Sequence, residues 1–269
     1  MGTDRAIPIR HKTRTSCAPA GSVHEQWRLL RPPTAEAEAG GEFSIDETEA
    51  ILFALGQAVE QRDRQTAGHC ERLAFMGVAL GMAARLDRTS LLALYRGGYL
   101  HDVGKVGLPD SILFKPGKLT ASEWVTMRSH TVRGEEICRH LKSLGPALPI
   151  IRHHHERWDG SGYPDGLRGK QIPLTARLLQ VADIYDALIS PRPYKPAFSP
   201  SKALGILRAE TSRGWRDPQV VDLFFGLHDK VISKIAEYTT GADRNLQALR
   251  SSLDNLQEYI DLSAFPDAS

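Results

Sequence analysis

Apolar positions recur at helical spacing through most of the chain. Ile51, Leu52, Leu55 and Val59 share one helical face, behind Ser44-Ile45-Asp46-Glu47, whose hydroxyl and carboxylate form a capping box. Further helical patterns run over about 69–86, 90–102, 121–143, 147–156, 175–190, 200–212 and 218–236. Thr120-Ala121-Ser122-Glu123 supplies a second capping box, ahead of a helix whose predicted inner face is Trp124, Met127, His130, Gly134, Ile137 and Leu141. No alternating strand pattern of useful length appears, and no fixed-period repeat. The fold class this predicts is all-α.

Two turn-rich loops, Val106 to Leu119 and Trp158 to Pro173, interrupt the helices. Residues 1–43 carry Pro8, Pro19, Pro32, Pro33 and Gly40-Gly41 without an apolar period, and read as a flexible tail. The domain proper is expected over 44–235. Residues 236–269 place Leu246, Leu249, Leu253, Leu256 and Ile260 at helical spacing, which predicts an extra helix packed on the domain or on a second copy as a homodimer.

Charge narrows the function classes. The chain's formal charge is only +2, and the segment up to Pro32, with six Lys/Arg against two acids, accounts for +4 and leaves −2 elsewhere. That is no basic footprint for nucleic acid. The longest uncharged apolar run, Leu73 to Ala84, has 12 residues, too few to cross a membrane. No secretory signal is visible. Three widely spaced cysteines make no disulfide framework and fit the reducing cytoplasm. Glycines 160, 162 and 166 do not match a dinucleotide-binding fingerprint.

Histidine is the residue that stands out. Seven of the 10 fall between His69 and His155. His101-Asp102 ends an apolar helix, where two adjacent side chains can converge. His130 lies on a predicted inner face, and His154, with His155 beside it, follows Ile150 and Ile151. Asp183 and Asp186 sit on the strongly apolar helix that holds Leu178, Leu179, Val181 and Leu188. A buried carboxylate needs a cation or several donors, so these groups together point to metal. Imidazole and carboxylate without thiolate suit Fe, Mn or Co, and Zn less well. The number of candidates favours two ions bridged by a carboxylate, an arrangement that activates water for phosphoryl displacement. Lys105, Arg192 and Lys195 are the cations placed to contact phosphate.

These residues lie in motifs that resemble the HD-GYP family of HD-superfamily metal-dependent phosphodiesterases, which degrade cyclic di-GMP. The motifs are Asp63-x-x-Thr66-x-Gly68-His69-x-x-Arg72, Leu100-His101-Asp102-Val103-Gly104-Lys105 through Asp110, Lys115-Pro116-Gly117-Lys118-Leu119-Thr120, His130, His154-His155-Glu156-Arg157-Trp158-Asp159-Gly160-Ser161-Gly162-Tyr163-Pro164, Val181-Ala182-Asp183-x-x-Asp186-Ala187-Leu188 and Arg192-Pro193-Tyr194-Lys195. They cover about 45–235.

The resemblance implies an HD-superfamily helical bundle and metal ligation by His69, His101, Asp102, His130, His154, His155 and Asp183, with Asp183 as the bridge. It implies attack by a metal-bridging hydroxide, with Lys105 on the scissile phosphate. Arg192, Lys195 and Tyr163 would contact substrate, and Asp186 would orient water or substrate. The Gly162-Tyr163-Pro164 loop would border the site and, in some members, contact GGDEF-domain proteins. Two divalent ions, Fe or Mn, are expected rather than three, because Gln65 stands where some members carry a glutamate ligand. Arg216 replaces a frequent aromatic before Asp217-Pro218. The expected product is pGpG, with slow or absent conversion to GMP. Rival readings are a phosphodiesterase for another cyclic nucleotide or dinucleotide, and a non-catalytic cyclic di-GMP receptor or partner-binding module.

Overall fold

The computed structural model describes residues 45–62, 68–191 and 196–240. The expectations for the tail, Ser44, Gln65, Arg192, Lys195 and 241–269 lie outside these residues. The described residues carry ten α-helices, three 3-10 turns and no strand. The helices are α1 (Ile45–Arg62), α2 (His69–Ala83), α3 (Arg88–Leu100), α4 (Asp110–Leu113), α5 (Ala121–Arg128), α6 (His130–Cys138), α7 (Leu148–His153), α8 (Leu174–Ile189), α9 (Pro200–Ser212) and α10 (Pro218–Thr240).

The centre is α2, of whose residues all but Arg72 are buried. This is the long apolar run of the sequence, packed on every side as its composition requires. It packs on α3, where Leu91 and Leu94 lie against Gly77 and Gly81, and on α8, where Leu179 lies against Gly77. Each fully buried Leu or Phe here contributes about 1.5–3 kcal/mol of transfer free energy. Gly68 at φ 82° turns the chain into α2, a conformation a side chain resists, and makes His69 the first helical residue.

One expected helix is two. The pattern over 121–143 breaks at Ser129, whose hydroxyl donates back to the Thr126 carbonyl at 2.7 Å. The break resets the phase of the helix. α6 buries His130, Thr131, Gly134 and Cys138, whereas Trp124, Ile137 and Leu141, expected inside, are 46%, 42% and 47% exposed. The Thr120–Glu123 capping box forms as read.

The chain turns tightly after α3. His101 caps the helix and a 3-10 turn, Val103–Gly107, follows at once. α6 packs directly on this turn: a Cβ at Gly104 would stand 1.9 Å from the His130 carbonyl oxygen. That contact sets the distance between His101-Asp102 and His130. Gly104→Ala is therefore expected to lower stability by about 1–3 kcal/mol or more, the usual cost of overpacking. Thermal unfolding checks this, and metal retention should fall in the same variant because His130 is displaced.

Candidate metal centre

Three of the candidate histidines share one local device. His101 and His154 are the C-caps of α3 and α7, and His130 begins α6 just past the end of α5. Carbonyls in a last helical turn lack intrahelical partners. Each of these rings places Nδ1 on the carbonyl three residues back: His101 on Gly98 at 3.1 Å, His130 on Met127 at 2.8 Å and His154 on Ile151 at 3.0 Å. In His69, Nδ1 meets the Asp186 carboxylate at 2.7 Å. A carbonyl or ionised carboxylate only accepts, so Nδ1 carries the proton in all four and Nε2 holds the lone pair.

Those lone pairs converge. His69, His101 and Asp183 form one group, and Asp102, His130, His154 and His155 a second, each with its donor atoms within 4.8 Å of one another. In the second group His130 Nε2 lies 3.5 Å from His154 Nε2, and Asp102 Oδ1 lies 3.3 and 3.8 Å from the same two nitrogens. In the first, His69 Nε2 is 3.6 Å from Asp183 Oδ1. Two nitrogens on one ion at metal–nitrogen bonds of about 2.0–2.1 Å stand roughly 3–3.5 Å apart. Nε2 of both His69 and His101 is buried without a hydrogen-bond partner. The residues present fit two metal ions.

The carboxylate that reaches both groups is Asp102. Its Oδ2 is 3.3 Å from His101 Nε2, while its Oδ1 faces His130 and His154. The turn after α3 lodges Asp102 between the two groups. Asp183 stands with His69 and His101.

Electrostatics favour the ligating forms. Burial pushes the His130 pKa down to about 4 despite Asp102, and burial with His154 and His130 alongside holds His155 well below its ordinary value. Both rings are neutral at pH 7. Burial would raise Asp102, but Lys105 and His101 outweigh it and keep its carboxyl well below the usual range. His101 runs the other way: burial, which would lower its pKa, is outweighed by Asp102 and Asp183, which raise it toward the protonated form.

Lys105 Nζ lies 2.7 Å from Asp102 Oδ2, at the edge of the cluster. The Tyr163 ring packs 4.9 Å from His155 and 6.4 Å from His130, so the Gly162-Tyr163-Pro164 loop borders the second group. Asp186, expected to orient water or substrate, faces the other way. It is 1% exposed, and its oxygens are held by His69 and by Arg72 at 2.6 and 2.9 Å. It sits behind the His69 ring. His140 is exposed and His153 pairs with Asp165 at 2.9 Å, so neither joins the cluster.

Sequence reasoning missed the supports. Arg72 was legible only as a motif letter, three residues after His69. Glu60 of α1 accepts the His69 and Cys70 amides at 3.2 Å each, closing the open N-terminus of α2. Arg62 donates to the carbonyls of Lys105, Val106 and Leu108 at 2.7, 2.9 and 2.7 Å, which fixes the Lys105 turn. Gln180 of α8 donates to the His154 carbonyl at 2.8 Å and to that of Glu156. None has a local sequence signal.

A buried helical bundle with a His-Asp doublet between two ligand groups defines a class, and comparison with known proteins agrees. The HD domain family profile matches residues 52–220. The chain belongs to the HD domain family. It is 42% identical over 209 residues to a cyclic di-GMP phosphodiesterase of Vibrio cholerae, covering 72% of this chain and 42% of that protein. It is 34% identical over 244 residues to the cyclic di-GMP phosphodiesterase response regulator RpfG of Xanthomonas campestris, covering 88% of this chain and 64% of that one. The chain thus spans roughly half the length of the curated relatives it matches. A crystal structure of a V. cholerae cyclic GMP-AMP-specific phosphodiesterase shares the fold, with TM-score 0.54 and 20% identity over 80% of this chain and 61% of that one. Among the described residues no helix is long and apolar enough to cross a membrane.

Asp186→Asn should weaken metal retention about 10–100-fold, the usual effect of losing the partner behind a ligating histidine. Dialysis against graded chelator, followed by elemental analysis, measures it. His69 and Arg72 hold the Asp186 pKa, which burial alone would raise, down at about 2. A depressed carboxylate adds stability that is fully present above its unfolded pKa, near 3.9. Acid unfolding of the metal-free chain should therefore lose this contribution between about pH 4 and about pH 2, and Asp186→Asn should flatten the profile there.

Proposed function

We propose that the chain is a cyclic di-GMP phosphodiesterase of the HD-GYP type, working with two divalent ions, Fe or Mn. The observation that carries the reading is the pair of ligand groups spanned by Asp102, with Nδ1 of His69, His101, His130 and His154 turned outward and no cysteine among the donors. When bound, the ions supply a more acidic water and neutralise charge on the phosphoryl oxygens. His69, His101 and Asp183 would hold one ion and His130, His154 and His155 the other, with Asp102 shared. Gln65 supports a count of two, since a neutral amide binds a third cation far less well than a carboxylate.

The chain's own cations would handle the phosphate. Lys105, anchored beside Asp102 and steadied through its backbone by Arg62, is placed to stabilise charge that develops on the scissile group. Arg192 and Lys195, which follow α8, would hold the substrate's phosphates throughout, and Tyr163 would contact it from the loop. The products would be pGpG and, more slowly, GMP. The same loop would meet GGDEF-domain proteins, residues 236–269 would add a helix that pairs two copies, and the compartment would be the cytoplasm. The domain would run over 44–235 behind a flexible tail.

A second reading, a phosphodiesterase for another cyclic dinucleotide, is favoured by one observation: the chain is also 38% identical over 185 residues to a 3'3'-cGAMP-specific phosphodiesterase of Vibrio cholerae, covering 68% of this chain and 35% of that protein. Anaerobically purified protein of measured metal content, incubated with cyclic di-GMP and resolved by chromatography, tests the first. It should accumulate pGpG. A chain carrying two ions that leaves cyclic di-GMP intact contradicts the proposal, and turnover of cyclic GMP-AMP alone selects the second reading. Lys105→Ala should keep its ions yet lose about 10²–10³ in kcat, whereas Arg192→Ala should chiefly raise KM.

A further inference from the structure

Beyond the metal cluster, one guanidinium is held over the Tyr163 ring, beside the second ligand group, without a carboxylate. Arg128 ends α5, two residues before His130, and is exposed. Its Cζ lies 5.1 Å from the centre of the Tyr163 ring and 5.8 Å from that of Trp124, four residues earlier on the same helix. Its side chain donates no hydrogen bond to any described residue. Arg62, Arg72, Arg152, Arg177 and Arg216 each pair with an acid, while Arg157, Arg208 and Arg213 also lie over aromatic rings, but over Trp215 and Phe225 rather than over Tyr163. Cation–π contact of this kind fixes the group while leaving its in-plane donors available.

The position matters as much as the state. The Tyr163 ring that Arg128 faces also packs on the ring of His155, 4.9 Å away. From the cluster outward the order is His155, Tyr163, Arg128, Trp124. Trp124 is 46% exposed, unlike the deeply buried aromatics Tyr95, Tyr185 and Phe224, and Val125 beside it is 72% exposed. An indole left open next to a phosphate-directed site has the chemistry of a base-stacking platform.

We propose that Arg128 and Trp124, with Tyr163, form a purine shelf that receives one base of the cyclic dinucleotide and favours guanine. Trp124 offers a face on which any base stacks. Arg128 offers paired N–H donors that match the O6 and N7 acceptors of guanine, whereas adenine presents an amino donor at the same edge. The shelf would therefore select the base, a choice that the metal cluster, which meets phosphate, cannot make. This rests on the phosphodiesterase reading above, and the experiment separates the two.

The test compares kcat/KM for cyclic di-GMP and cyclic di-AMP on the full chain and on Arg128→Ala, Arg128→Lys and Trp124→Ala, with metal content measured for each. All four should carry the same metal. Arg128→Ala should lose about tenfold on cyclic di-GMP through KM, and so narrow the preference for guanine, while Arg128→Lys restores charge but not the preference. Trp124→Ala should weaken both substrates about tenfold. Values for Arg128→Ala and Trp124→Ala within twofold of the parent on cyclic di-GMP overturn the shelf. If the metal-loaded parent hydrolyses neither dinucleotide, the functional reading fails by itself. Equilibrium dialysis with the intact cyclic di-GMP then judges the shelf. Weaker binding by Arg128→Ala supports it, and equal binding, or none by the parent, overturns it.

Discussion

Four buried imidazoles give their Nδ1 protons to oxygens outside the cluster, and the arrangement of the domain follows from that constraint. With Nδ1 committed, every Nε2 lone pair must face inward, where His130 and His154 stand 3.5 Å apart and the Nε2 atoms of His69 and His101 have no hydrogen-bond partner. Lone pairs and carboxylates so placed repel one another and are removed from water, at a cost of several kcal/mol unless cations enter. Helix ends supply the solution at three of the four rings. A last-turn carbonyl needs a donor, and the histidine three residues on provides it. The same bond that closes a helix aims a ligand.

Asp102 is the other consequence of a helix end. In a continuing helix His101 and Asp102 would diverge, but the 3-10 turn after α3 sets the carboxylate between the two groups. Packing then holds the turn. Gly104 lets α6 approach to contact, and Arg62 clips the turn's carbonyls from α1. His69 is held separately, by Glu60 at the amides of α2 and by Asp186 with Arg72 behind its ring. Rigid second partners of this kind give a metal site its geometry before any ion arrives.

Much of this was legible in the sequence, because helical spacing survives in a single chain and histidine is rare enough for a cluster to be conspicuous. The helices over α2, α3, α8, α9 and α10 appear close to where periodicity put them. What escaped is non-local. The helix expected over 121–143 is interrupted at Ser129, and Trp124, Ile137 and Leu141 lie exposed. Asp102 could be named as a ligand, yet its reach to both groups depends on the turn that carries it. Asp186 looked like a group facing substrate, because a carboxylate on an apolar helix face does not reveal that an arginine and a histidine from α2 enclose it. Glu60, Arg62 and Gln180 act across the fold and leave no mark in their neighbours.

The central claim is that one buried cluster holds two cations sharing Asp102. Anomalous diffraction from crystals of the anaerobically purified chain, collected on either side of the iron and manganese edges, addresses it directly. The account predicts two peaks, one among His69, His101 and Asp183 and one among His130, His154 and His155, both in contact with the Asp102 carboxylate. A single peak, or two peaks of which one lacks Asp102, would contradict it.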